Sequence, residues 1–267
     1  MEDFEHGIDH VGRRGVAPLL VIGGPIYQSN FEVRDLSLIQ GVIVKERGLP
    51  KGLSWADLNL SILGERLKNL RHLVIEFSGK VNLEDFGLQA NMAYIYLNCP
   101  KMIPPSYPLF PALDEAEILV PDAALSNLLV PSVEILTLHR PHFKDLTLLS
   151  ESRALRSLDI HFARNLTSLN GLSDSSSMEV LGLHHCPSLT RVGPQKRMPG
   201  PTELVVGGCK RLADLSGVEL FSKLRKLSLL GSGPEVVISE ALKAAKIELE
   251  IRGRKIASLP AASSVPI

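Results

Sequence analysis

Aromatic side chains make up only 5% of the 267 residues, with a single Trp, so the core of this chain must be aliphatic rather than built on ring packing. An excess of charge of either sign is also missing, because 29 basic side chains cancel 29 acidic ones. That balance weighs against nucleic acid or an anionic membrane as the main partner. Cysteine is limited to Cys99, Cys186 and Cys209, an odd set that cannot close a disulfide framework and reads as reduced thiols of a cytoplasmic protein. No long hydrophobic run occurs: the apolar stretch 16–22 ends at Gly23-Gly24-Pro25, far short of the ~20 residues that cross a bilayer. The start, Met1-Glu2-Asp3-Phe4-Glu5-His6, is acidic and lacks the basic and apolar regions of a secretory signal, which again points to the cytoplasm.

Leucine is what the chain has in abundance: 45 of its 267 residues. The leucines are ordered. A frame apolar-x-x-apolar-x-apolar begins at Leu70, Met92, Leu113, Val133, Leu155, Met178, Pro201, Leu224 and Lys246, with successive spacings of 22, 21, 20, 22, 23, 23, 23 and 22. Its three framework slots are apolar in 25 of 27 cases, against the roughly 12 expected from composition alone, Pro201 and Lys246 being the exceptions. Each frame is followed by two variable residues, a small residue and leucines three apart, most clearly at 158–169, 181–192 and 204–215, where Ala163, Cys186 and Cys209 fill the small position.

At residues 70–251 the sequence therefore resembles the leucine-rich-repeat family, in a short cytosolic form with L-x-x-L-x-L-x-x-C-x-x-L units. It departs from the pattern in having no asparagine ladder, in Pro100 and Pro141 at two turns, and in Ala116 where a leucine is expected. The resemblance implies an α/β-type leucine-rich-repeat solenoid: a curved parallel β-sheet with a mostly non-helical convex side of 3₁₀ or extended segments. One repeat cannot bury its apolar face alone, so stacked neighbours must share a continuous core. A period of 20 to 23 leaves little room for a convex helix. The expected organisation is a flexible N-terminus over 1–15, an N-terminal cap with diverged repeats over 16–69, repeats over 70–252, and a flexible tail over 253–267. Within the cap, 18–22 and 36–44 read as strands, 33–38 and the frame at Trp55-Ala-Asp-Leu58-Asn-Leu60 as diverged repeats, and 61–70 as either a helix or a truncated connection.

Side chains at slots three, five and seven alternate away from the core, and parallel strands lie about 4.8 Å apart, so one slot read down the repeats traces a stripe on the concave face. Slot seven carries His139, His161 and His184 in succession, with Asp159 two residues before His161. Imidazole suits a protein-binding face, a contact that responds to pH, or a divalent metal, and the rigid spacing of a metal motif is absent. Tyr94 and Tyr96 beside Asp114, Glu115 and Glu117 have the composition of an interaction surface, aromatic anchors next to charge.

Enzymatic signatures are missing. Gly23-Gly24 lacks the spacing of a dinucleotide fingerprint, Gly79-Lys80 lacks the upstream glycine of a phosphate loop, and no nucleophile elbow occurs. Cys186 and Cys209 read as structural thiols. The leading expectation is a monomeric, non-enzymatic module without cofactor that binds another protein through Tyr94, Tyr96, Glu115, Glu117, His139, Asp159, His161 and His184. An adaptor, inhibitor or immunity protein would suit such a compact chain by analogy. The alternatives are a metal-dependent enzyme or metal sensor at the His139/His161/His184 stripe, and a structural protein that self-assembles through an exposed terminal strand.

Overall fold

The computed structural model describes residues 19–25, 36–64, 66–129, 131–172, 177–231, 233–253 and 256–257. The chain divides into two compact units, Met1–His139 and Arg140–Ile267.

In the first unit the ladder strands are β1 (Leu19–Ile22), β2 (Gly41–Lys45), β3 (His72–Glu76), β5 (Tyr94–Asn98), β7 (Glu115–Leu119) and β8 (Ile135–His139), with the two-residue strands β4 (Lys80–Val81) and β6 (Lys101–Met102) paired beside them. The ladder runs in chain order and every pairing is parallel. Each ladder strand from β3 onward is the centre of one repeat frame. Slots four and six, such as Leu73 and Ile75 or Ile95 and Leu97, are buried at 0–1% exposure, as are slot-one residues Leu70, Met92, Leu113 and Val133 at 0%.

In the second unit β9 (Ser157–His161), β10 (Val180–His184), β11 (Glu203–Gly207), β12 (Lys226–Leu230) and β14 (Glu248–Arg252) form a parallel ladder, and β13 (Val236–Val237) pairs with β15 (Ile256–Ala257). Slots four and six are buried again in Leu158, Ile160, Leu181, Leu183, Leu204, Val206, Leu227 and Leu229. The small position after each strand has a clear cause. Ala163, Cys186 and Cys209 are all fully buried there between stacked turns, which leaves room only for a compact group, and the Cys209 thiol donates to the Leu183 carbonyl at 3.5 Å and accepts from the Cys186 amide at 3.4 Å. All three cysteines are buried free thiols. Burial pushes the Cys99 thiol up, and its hydrogen bond with Cys209 does the same to Cys186.

The segments between ladder strands are short, as the period requires. They contain 3₁₀ turns such as Leu83–Phe86, Thr147–Leu149 and Val218–Leu220, and α-helices of one or two turns at Ser61–Gly64, Asp122–Leu128 and Glu240–Ala244.

The structure corrects the reading of the region before Leu70. Leu36–Leu38 is a 3₁₀ turn rather than strand, and the strand proper begins at Gly41. The register pairs Gly41 with His72 and Leu19 with Gly41, so β2 occupies slots three to seven and β1 slots three to six of two further ladder positions. The frame at Trp55 forms no strand: Ala56–Leu58 is a 3₁₀ turn, and Ser61–Gly64 is the only helical part of 61–70 among the described residues. Trp55 is buried edge-on to Phe77, ring centroids 5.6 Å apart, and its indole donates to Asp85 Oδ2 at 2.7 Å, which fastens the connection below the ladder. The expectations for 1–15 and for residues 33–35 lie outside the described residues, as does that for the tail apart from Gly253 and β15.

Candidate interaction site

The face of each ladder opposite the core carries slots three, five and seven. In the first unit that face is of two kinds. Toward β1 it is apolar: Ile43, Val74, Tyr94 and Tyr96 form one buried cluster, with Leu19 packed against it. Tyr94 and Tyr96 were expected as exposed anchors, but they are exposed by only 1% and 5% and His72 by 8%. Large apolar groups on neighbouring strands pack side by side there and leave water, so the two tyrosines act as packing rather than as reachable contacts.

Toward β8 the face becomes polar and half-exposed. Glu115 and Glu117 project from β7, and His139 from the last position of β8. The His139 Nε2 lies 2.9 Å from Glu117 Oε1, reaching diagonally because Glu117 stands opposite Thr137.

The second unit carries the densest polar group. Register places His161 opposite His184 and Asp159 opposite Gly182. The two imidazoles stack with centroids 4.7 Å apart and planes 16° from parallel, and His184 Nε2 is 3.6 Å from Asp159 Oδ1. One donor atom from each of Asp159, His161 and His184 lies within 4.8 Å of the others, and all three residues are half-buried. Further along, Lys226 Nζ sits 3.3 Å from Glu203 and 3.6 Å from Glu250, while Ser228 donates to Glu250 at 3.1 Å. The hydrogen bond with Glu203 holds the Lys226 ammonium above its ordinary value. The hydrogen bond from Ser228, helped by Arg252, holds the Glu250 carboxyl below its own.

One feature escaped the sequence reading. The residue just past each ladder strand of the second unit, together with Arg140 at its start, adopts left-handed backbone: Arg140, Phe162 and His185 at φ 54°, 59° and 56°, then Gly208, Gly231 and Gly253. All but Gly253, which follows the last ladder strand, turn so that the amide reaches the end of the next strand, as Phe162 N donates to His184 O at 2.8 Å and His185 N to Gly207 O at 2.7 Å. Phe162 stacks on His185 at 4.9 Å and 6° and remains 47% exposed. Glycine in the same column of three later repeats was the available signal.

No protein-family model matches the sequence, and no curated protein does. Among solved structures, a chain from a TLR13–ssRNA13 complex superposes with a TM-score of 0.65 at 16% identity, covering 91% of this chain and 37% of that one. This chain has the leucine-rich-repeat fold. It spans a little over a third of that structure's chain, and the likeness establishes the fold alone. A chain from a mouse RP105/MD-1 complex matches at 15% identity over 83% of this chain and 57% of that one, with a TM-score of 0.31 that adds nothing to the argument. Among the described residues no helix is long and apolar enough to cross a membrane.

Proposed function

We propose that this leucine-rich-repeat chain is a non-enzymatic recognition module that binds another protein through the sheet face opposite its core. The contacts assigned to that role are Glu115, Glu117 and His139 in the first unit and Asp159, His161 and His184 in the second. The observation that carries this reading is the cross-strand pairing of partly exposed polar groups on rigid strands, His139 with Glu117 and Lys226 with Glu203 and Glu250. Side chains already held in place lose little freedom on binding, so more of each contact's energy reaches affinity. The charge balance of the face favours protein over nucleic acid. Glu76, Glu115, Glu117, Asp159, Glu203, Glu248 and Glu250 outnumber Lys45, Lys226 and Arg252 at its outward slots, and such a surface repels phosphate. The TLR13 chain was solved with ssRNA13, which supports ligand binding by this fold without naming the ligand of this chain. An adaptor, inhibitor or immunity role in the cytoplasm would suit such a binding module by analogy.

Affinity capture from native extract tests the reading, with wild type beside a Glu117→Ala, His139→Ala, His161→Ala variant of matched circular dichroism. A protein retained by the wild type at near-stoichiometric yield and lost by the variant is the expected result. Equal retention by both would remove this face from the binding surface.

A further inference from the structure

The Asp159, His161 and His184 group has a geometry that partner recognition does not require. Two imidazoles and one carboxylate are a donor set suited to zinc and its neighbours in the first transition row, and poorly suited to the oxygen-preferring magnesium or calcium ions. Asp159 and His161 are two positions apart on β9 and share a face, and the register sets His184 beside His161 on β10. The three residues occupy three corners of a rectangle about 4.8 Å by 6.6 Å. Gly182, opposite Asp159, is the fourth corner.

That glycine gives the site its space. A Cβ at position 182 would collide with Asp159 Oδ1 and approach His184 Nε2 to 2.9 Å, so any other residue would force the carboxylate and the imidazole apart. Gly207 does the same on the other side, where a Cβ would meet His184 Nδ1 at 3.0 Å. Two glycines therefore flank His184 and let it lie across the sheet with Nε2 turned toward Asp159.

Distances decide whether an ion fits. Bonds of about 2.0 to 2.2 Å to nitrogen and carboxylate oxygen in tetrahedral geometry require donors about 3.4 Å apart. His184 Nε2 and Asp159 Oδ1 already stand at 3.6 Å, and all three donor atoms lie within 4.8 Å of one another. Closing the remainder takes about 1 Å of side-chain movement together with a turn of the two imidazoles out of their present stack, 16° from parallel, so that both in-plane lone pairs aim at one ion; the half-exposed side chains can make that turn without a shift of the hydrogen-bonded backbone.

We propose that Asp159, His161 and His184 bind one divalent ion of the zinc class. One carboxylate and two neutral imidazoles leave a dication with a net charge of +1. Three protein donors leave at least one coordination position for water or for a carboxylate or imidazole from outside.

The test uses the full chain stripped with EDTA near neutral pH and titrated calorimetrically with Zn²⁺, and with Co²⁺ followed by visible absorption. Wild type takes up one equivalent at this site and gives a cobalt ligand-field band. Loss even of outer groups around a metal costs ten- to a hundredfold in affinity, so Asp159→Asn, His161→Gln and His184→Gln each weaken binding by at least about tenfold. Gly182→Val weakens it as well, while Mg²⁺ at the same concentration fails to compete. Should a variant lose its fold, imidazole NMR of the wild type decides instead: His161 and His184 resonances must move together over the first equivalent of Zn²⁺. Absence of zinc uptake, uptake that survives all three substitutions, or shifts confined to other histidines would overturn the proposal. None of these outcomes touches the protein-recognition reading, which the capture experiment tests separately.

Discussion

Glu117 and His139 meet across neighbouring strands, carboxylate oxygen to imidazole nitrogen at 2.9 Å, with about a quarter of each side chain exposed at 24% for His139 and 23% for Glu117. Such a pair orients two groups at a surface and contributes little to folding. Glu117→Ala is expected to lower stability by less than about 1 kcal/mol, read as a shift in urea midpoint. The same substitution is expected to weaken capture of the partner. A large loss of stability with unchanged capture would assign the pair to the fold instead.

Tyr94 gives the opposite expectation. With 1% exposure in a cluster with Ile43, Val74 and Tyr96, it is packing. Tyr94→Ala is expected to cost about 3 to 5 kcal/mol, in the manner of large-to-small changes at buried aromatic sites. Measured by denaturant unfolding, a cost under 1 kcal/mol would show that the ring is not buried in solution.

Acid should lower the stability of the protein in part through its turn carboxylates. Asp57 accepts from the Ser54 hydroxyl and amide at 2.7 Å each, and Glu84 accepts from the Ser106 hydroxyl at 2.7 Å and amide at 2.6 Å. In both cases the side-chain hydrogen bond is the larger cause of a lowered pKa. Asp214 is lowered chiefly by the Ser216 hydroxyl and Asp145 chiefly by the Thr147 amide. A carboxyl depressed in the folded state is more protonated in the unfolded chain at the same pH. Its contribution is therefore complete above the ordinary carboxylate range near pH 4 and is lost as pH falls through the lower folded value. Urea midpoints are expected to hold above about pH 5 and to fall below about pH 4, with a shallower fall in an Asp57→Asn, Glu84→Gln variant. An unchanged slope in that variant would refute the assignment.

Gly171 and Gly52 form a matched pair. Both have left-handed backbone, at φ 84° and 86°, but a Cβ at Gly171 would run into the backbone of Thr147 and Leu146, whereas nothing lies within 4 Å at Gly52. Gly52→Ala carries only the conformational penalty, roughly 1 kcal/mol. Gly171→Ala adds a clash with main chain that cannot swing aside, and a thermal melt should show the larger loss. Equal losses would mean that the turn at 146–147 yields.

The repeat period was legible because three slots per frame must be apolar for one turn to stack on the next. The Trp55 frame misled for a physical reason. Apolar residues three apart suit one turn of 3₁₀ helix as well as slots one and four of a repeat, and Ala56–Leu58 took the helical option. Alternation placed Tyr94 and Tyr96 on the correct side of their strand, but a period of two states which face a side chain joins, not whether that face is wet. His161 and His184 were visible as a stripe; their closeness to Asp159 depends on Gly182, whose meaning appears only when the register sets it opposite. The left-handed column of Arg140, Phe162 and His185 hid because only its later members are glycine.

In the second unit Ser157, Val180, Glu203 and Lys226 stand opposite one another in succession, each 23 residues after the last. An inheritance unit of the same length follows from this. Duplication or loss of one whole copy would return every framework leucine, thiol slot and left-handed turn to an equivalent place, whereas a one-residue insertion inside a strand would turn its core residues to water. Lineages carrying this fold can therefore change the reach of the ladder in whole steps while leaving its packing rules untouched.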